Sequence, residues 1–528
     1  MRYPFSNEPL TDFACAENAS AFQASLDRVR AQLGRTYPLV IGGEKIYTPE
    51  TFDSINPANP SQSVGRMSKA TPELAARAVE VAARAFDSWK RVPYEERARY
   101  VLDAAKIMRE RKHDFSALQV LEVGKTWSEA DADTAEAIDF LEWYGREMLR
   151  LGPPQPTILD PRLDGELAYI PLGAGAVIPP WNFPGAIMTG MTAASIVTGN
   201  SVVLKPASTA PVIAAWLAEI FNDQLYLPPG VLNFLPGPGG AVGDVLVDHP
   251  KTRFIAFTGS KEVGIRIFQR AAQVQPGQIW LKRTILEMGG KDAIVVDETA
   301  DLNAAAAGIV ASAFGFQGQK CSACSRAIIV EQVYDEMLGK IVERTRRLIV
   351  ADPATGPAVD LGPVIDRSAL DKLLAYIETG KGEGRLLVGG EKAPSATGGY
   401  FLQPTVFADV APRARLAQEE IFGPVLAVIK AADFDEALDI ANNTEYGLTG
   451  SVYSMRRDRL ERARHEFHVG NLYFNRKCTG APVGLAPFGG FNMSGTDSKA
   501  GGSDYLLLFT QAKVTVEGTG QSCNICGT

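Results

Sequence analysis

The chain has 528 residues, 46% of them apolar and 22% charged, with a net charge of −8. That length allows more than one domain around a sizeable core, and the balance is that of an ordinary globular protein. The acidic balance without a basic run argues against nucleic acid, no apolar stretch reaches the roughly 18 residues of a membrane span, and MRYPFSNEPLTDF lacks a secretory pattern, so a cytoplasmic protein is expected. Six cysteines are too few for a disulfide scaffold of this size, which fits a reducing compartment.

Residues 1–35 read as a helical N-terminal extension, with apolar positions at Phe22, Leu26, Val29 and Leu33. PLVIGGEKI then reads as strand, Gly-Gly turn and strand. Thr71-Pro72-Glu73 opens a helix with an N-cap, a proline in the first turn and an early acid. Leu74, Ala78, Ala82 and Phe86 continue it at helical spacing. Two more helices are expected, from Tyr94 to about Arg111 and from Thr126 to about Leu151.

From Gly173 the period changes. GAGAVIP, SVVLKP, VLNFLPG and RFIAFTGS are short apolar strands, each followed by a helical stretch. Repeated β-α units predict a parallel sheet with helices on both faces. A second alternation starts near Ala293 with AIVVD, a small-residue helix over 300–318, AIIVE and a helix from Tyr334 to Leu348. Two α/β domains would leave a cleft between them, a usual place for a ligand. Residues 152–171 and the terminal YLLLFTQAKVTVE stand outside both. The Gly-rich tail from 519, with Cys523 and Cys526 at C-x-x-C spacing, is expected to be flexible; no metal site is expected.

Three segments carry chemistry. FGFQGQKCSACSR places Cys321 in a run of small and polar residues at the end of the small-residue helix. By default such a thiol is buried and inert, and Cys324 is read as a bystander. LEMGGK offers the acid Glu287, and PPWNFP offers the amide Asn182 after an apolar strand. Nucleophile, base and oxyanion donor are the three roles that a thioester mechanism needs.

Together these segments resemble the aldehyde dehydrogenase superfamily, from about Thr36 to the YLLLF segment. The wording at Cys321 is most similar to the branch acting on L-glutamate γ-semialdehyde, the open form of 1-pyrroline-5-carboxylate. The resemblance implies two Rossmann-like α/β domains plus a β-flap used for homo-oligomerisation. The coenzyme domain would span 36–151 and 172–286, the catalytic domain 287–503, and the flap 152–171 with 504–518.

It also implies NAD as coenzyme, a small-molecule substrate and named roles. Cys321 would be the nucleophile, Glu287 the base and Asn182 the oxyanion donor. Ile178, Pro180, Trp181, Lys205, Ser208, Gly237, Gly259, Ser260, Val263, Glu420 and Phe422 would contact the coenzyme. Gly237 opens GPGGAVG, one residue longer than the dinucleotide fingerprint. Ser208 stands where a glutamate commonly repels a 2′-phosphate, which leaves NADP open. Glu136, Phe183, Lys320, Ser322, Gly480, Ala481 and Phe488 would line the substrate tunnel, the backbone N–H groups of Gly480 and Ala481 forming a carboxylate nest. Three alternatives stay open: another small semialdehyde oxidised the same way; acyl transfer to phosphate or coenzyme A, against which Glu287 argues; and a non-enzymatic binding or structural protein on the same scaffold, against which the presence of both Cys321 and Glu287 argues.

Overall fold

The computed structural model describes residues 4–519; the expectations for Cys523 and Cys526 fall outside them. The expected α/β alternation is present as two seven-stranded sheets. The first runs, edge to edge, through Arg283–Glu287, Phe254–Thr258, Ala174–Ile178, Ser201–Leu204, Leu232–Phe234, Leu39–Ile41 and Glu44–Ile46. Its first five strands are parallel, and the last two join antiparallel. The second runs through Arg385–Val388, Thr405–Ala408, Val425–Ala431, Cys324–Val330, Asp292–Val296, Thr449–Tyr453 and Asn471–Phe474, parallel except at its first pair. The central strands are almost wholly buried, as helices on both faces require.

Before residue 151 sequence and structure differ in three places. The N-terminal helix is confined to Ala16–Arg30, and its Phe22, Leu26 and Val29 belong to the largest core cluster rather than to a detached extension. Residues 4–14 carry no helix, and Asn7, Glu8 and Thr11 bond the carboxylates of Asp139 and Asp131. A helix over Lys112–Val123, absent from the sequence reading, is buried on nearly every side and therefore lacks an amphipathic period. It stops at Gly124, whose φ of 70° is the left-handed region that glycine adopts without strain. A small sheet of Thr36–Tyr37, Ser63–Ser68 and Thr51–Ile55 is likewise new.

The strand Leu163–Pro171 pairs antiparallel with Thr510–Gly518 along their full length. This ribbon stands apart from the two main sheets, and Val514 and Val516 on it are exposed.

What positions the site is the crossing between the sheets. Glu287 is the last residue of an edge strand in the first sheet, and Asp292 begins a central strand of the second. Only Met288-Gly289-Gly290-Lys291 lies between them. A methyl group at Gly289 would sit 2.2 Å from Glu420 Oε2, and one at Gly290 would sit 2.4 Å from the Cys321 carbonyl oxygen. Both glycines are needed for the backbone to pass so close.

Candidate active site

Cys321 follows a turn that the chain holds at some cost. The helix Leu302–Phe314 runs into a tighter turn over Gly315–Gly318, where Phe316 and Gln317 have φ of 47° and 55°. Non-glycine residues in that region cost on the order of 1–3 kcal/mol each and persist only where their surroundings fix them. Here buried amides fix them. Gln317 Nε2 donates to the carbonyls of Gly124 and Pro363, at 3.1 and 2.7 Å. Gln319 Oε1 accepts from the Ile365 N–H at 2.9 Å, and the Gln319 carbonyl accepts from Asn182 Nδ2 at 3.0 Å. Beyond the thiol, Arg326 is buried and donates to the carbonyls of Lys291, Ile440 and Ala441, each at 2.9 Å.

Two cavities meet at the thiol. One, of about 450 Å³, is lined by Pro180, Trp181, Asn182, Gly259, Ser260, Val263, Glu420 and Phe422. The other, of about 340 Å³, is lined by Glu136, Phe183, Glu287, Lys320, Ser322, Gly480, Ala481 and Phe488. Cys321 and Thr258 line both. Seven of the eleven residues expected around a coenzyme line the first cavity and all seven expected around a substrate line the second, and the two cavities share Cys321.

Four expected coenzyme residues do not reach the first cavity: Ile178, Lys205, Ser208 and Gly237. Ile178 ends its strand next to Pro179. Lys205 is buried, its Nζ bonded to the Pro206 carbonyl at 3.1 Å, and burial brings its pKa down to about 8. Ser208 Oγ donates to the Gly237 carbonyl at 3.3 Å, so these two sit together. The rest of GPGGAVG forms a wide turn over Gly239–Gly243, with open space where side chains of Gly239, Gly240 and Gly243 would be. Ser260 caps the helix Lys261–Ala271 by accepting from the Val263 N–H.

The electrostatics around the sulfur favour neutral groups. Burial, and then the carboxylates of Asp292, Glu420 and Glu287, push the Cys321 thiol well above its ordinary pKa, against a Ser322 N–H that pulls it down. Glu287 is pushed up to about 8, chiefly by burial. Its Oε1 accepts from Ser498 Oγ, while its buried Oε2 has no partner among the described residues. Glu136 is likewise raised to about 8, by burial and then by Asp133. Among the described residues the Cys321 N–H has no acceptor. Asn182 Nδ2 carries a second hydrogen beyond the one it gives to Gln319. Cys324 is buried and gives its thiol to the Arg326 carbonyl.

Several residues that line or support the second cavity escaped the sequence reading, Glu129 and Lys125 among them. Lys320 is held by both carboxylate oxygens of Glu129, at 2.8 and 2.7 Å. Lys125 is fully buried against Asp133 at 2.6 Å and lies over the rings of Phe183 and Phe316. Leu10, Tyr144, Lys477 and Tyr505 also line the second cavity. Lys477 and Tyr505 border or open stretches already singled out, at Gly480 and at YLLLF, whereas Leu10 and Lys125 reach the site from segments that carry no motif.

A sequence profile described as the aldehyde dehydrogenase family matches residues 46–515. A 1-pyrroline-5-carboxylate dehydrogenase of Geobacillus thermodenitrificans is 62% identical over 517 residues, covering 98% of this chain and all of the relative. A crystal structure of 1-pyrroline-5-carboxylate dehydrogenase from Thermus with bound NAD superposes with a TM-score of 0.95 at 53% identity, covering 98% of this chain and 99% of that one. Proline utilization A from Bdellovibrio bacteriovorus superposes equally well, TM-score 0.95, at 45% identity; the match covers 98% of this chain and 53% of that longer one.

The shifted thiol gives an expectation for the ligand-free protein. A thiol with a raised pKa is protonated below it and reacts as thiolate above it. The rate of alkylation at Cys321 by iodoacetamide should therefore still be climbing about tenfold per pH unit beyond ~8.5, the ordinary cysteine value. Peptide mapping at a series of pH values measures it, and a plateau below pH 8 would contradict the arrangement.

Proposed function

This chain belongs to the aldehyde dehydrogenase family, and we propose that it oxidises L-glutamate γ-semialdehyde, from 1-pyrroline-5-carboxylate, to L-glutamate in proline catabolism. The observation that carries the reading is the single thiol shared by two cavities, one lined for a dinucleotide and one for a small polar aldehyde. The names of the near-full-length relatives support the substrate. We assign catalysis to Cys321, Glu287 and Asn182. We take the protein to work in the cytoplasm as a homo-oligomer, its paired terminal ribbon with exposed valines being suited to adding to a partner's sheet.

The residues present fit a nicotinamide dinucleotide. Lys205 keeps donor capacity beyond its one bond, which suits ribose hydroxyls, and the Gly259–Ser260 turn opens a helix toward the cavity. Glu420 accepts from the Gly290 N–H at 3.1 Å, and Phe422 meets Trp181 edge-on at 5.6 Å; this acid and aromatic would hold the nicotinamide end. When bound, the coenzyme supplies the hydride acceptor.

The chain's own groups account for the other steps. Cys321 gives its proton up to solvent, the thiolate sulfur adds to the aldehyde carbon, and the carbonyl π electrons move to oxygen. That oxyanion has the Asn182 amide and the Cys321 N–H as donors; losing one such donor costs on the order of a hundred- to a thousandfold in rate. Loss of hydride from the same carbon leaves a thioester on Cys321. Glu287 then takes a proton from water, the hydroxide adds to the thioester, and the C–S bond breaks to release the acid. In its neutral form Glu287 cannot accept that proton, so hydrolysis speeds up as pH rises through about 8, the value to which burial raises it.

The reading is tested by NADH production on a panel of aldehydes. Glutamate γ-semialdehyde should exceed butanal and succinic semialdehyde in kcat/KM, and a preference for either of the latter would replace it. Glu287→Gln should release about one NADH per subunit in a burst and then stall, with steady turnover down on the order of a hundredfold or more. Stopped-flow absorbance measures this, and a normal steady rate would remove Glu287 from the mechanism.

We also infer that both coenzymes are used, with NAD the primary one. Ser208, beside Gly237, puts no charge against a 2′-phosphate. Ser208→Glu should lower kcat/KM for NADP about tenfold more than for NAD, through like-charge repulsion. The ratio of the two constants in parent and variant decides it.

A further inference from the structure

The charged side chains lining the second cavity are Glu129, Asp133, Glu136, Glu287, Lys320 and Lys477. Lys320 is taken up by Glu129, and Asp133 by the buried Lys125. Among the described residues Lys477 alone of the lining cations has neither hydrogen bond nor ion pair. It is exposed, at the rim.

Its surroundings say what it faces. A methyl group built at Gly480 would lie 3.7 Å from Lys477 Cε and 4.0 Å from its Nζ. Among the described residues the N–H groups of Gly480 and Ala481 have no acceptor. The loop is kept open by Arg476, whose Nη2 donates to the carbonyls of Thr479 and Gly480 at 2.9 and 2.7 Å. Gly480 has a φ of 78°, which turns successive amides the same way, as in an anion nest. Two free N–H donors and one free ammonium thus converge at the end of a cavity whose other lining acids repel anions.

We propose that Lys477 is a specificity-determining residue: its ammonium pairs with the substrate carboxylate seated on the Gly480 and Ala481 amides, and so selects carboxylate-bearing aldehydes over neutral ones. This rests on the reading of the substrate given above. A charge-assisted bond of this kind at a partly solvated rim is worth about tenfold in affinity and weakens with salt.

The test compares kcat/KM for glutamate γ-semialdehyde and for butanal in the parent, Lys477→Met and Lys477→Arg. In Lys477→Met the ratio should fall about tenfold, mainly through KM for the semialdehyde, and inhibition by L-glutamate should weaken by a similar factor and lose salt dependence. Lys477→Arg should restore most of both. A purely structural role would lower both substrates together and would not change the salt dependence. If Lys477→Met fails to fold, Lys477→Gln is read by the same ratio. A parent with no preference for the semialdehyde would defeat the substrate reading. A parent with that preference and a Lys477→Met ratio that is unchanged would overturn this inference alone.

Discussion

The site depends on one strained turn held by two amides. Phe316 and Gln317 occupy a backbone region that side chains avoid, and such residues persist only where their surroundings hold them. Gln317 and Gln319 do so from outside, by bonding the backbone of Gly124, Pro363 and Ile365. The same turn gives its Gln319 carbonyl to Asn182, so the proposed oxyanion donor and nucleophile share one fixed element. A methyl group at Gly318 would lie 2.3 Å from the Gly423 carbonyl oxygen, just after Phe422. The sulfur, the amide and the aromatic on the coenzyme side therefore occupy positions set by one another rather than by separate loops.

Around that turn burial favours the neutral forms of the thiol and of Glu287, while Lys320 and Lys125 stay paired with Glu129 and Asp133. Burial raises the thiol and Glu287 together. A thiolate and a carboxylate generated side by side in a dry pocket would repel, and neutral forms avoid that cost. Ligand binding can alter the balance by filling the two cavities with its own charges. The arrangement suits a reaction whose base is needed only after the thioester has formed.

Much of the fold was legible because its signals are local. Thr71-Pro72-Glu73 and Ser260 announce helix starts and are found there, and the β-α alternation from Gly173 needs only a count of apolar runs. The helix Lys112–Val123 was not legible, since burial on all sides erases the period that reveals a helix. For the site, the motif wording picked out residues that the structure gathers around two cavities, while their supports stayed hidden. Lys320 and Glu129 are 191 positions apart and Ser498 and Glu287 are 211 apart. No window along the chain contains both members of either pair. Lys205, Ser208 and Gly237 lie outside the cavity at the sulfur, Ser208 bonding the Gly237 carbonyl, and no motif says how far from the thiol each would sit.

The N-terminal segment closes the substrate cavity from outside. Asn7 Nδ2 donates to Asp139 and also to the Val483 carbonyl, a separation of 476 positions, and Leu10 lines the cavity wall. Val483 lies in the loop that follows Gly480 and Ala481. During synthesis the first dozen residues leave the ribosome long before that loop exists, so until then they can bond Asp131 and Asp139 but cannot close against Val483. The pocket can be completed only when nearly the whole chain has been made, which puts its assembly among the last and least local steps of folding. Nascent chains then carry the thiol and its turn well before they carry an enclosed place for an aldehyde, and reactive aldehydes in the cell meet a formed pocket only on the finished protein.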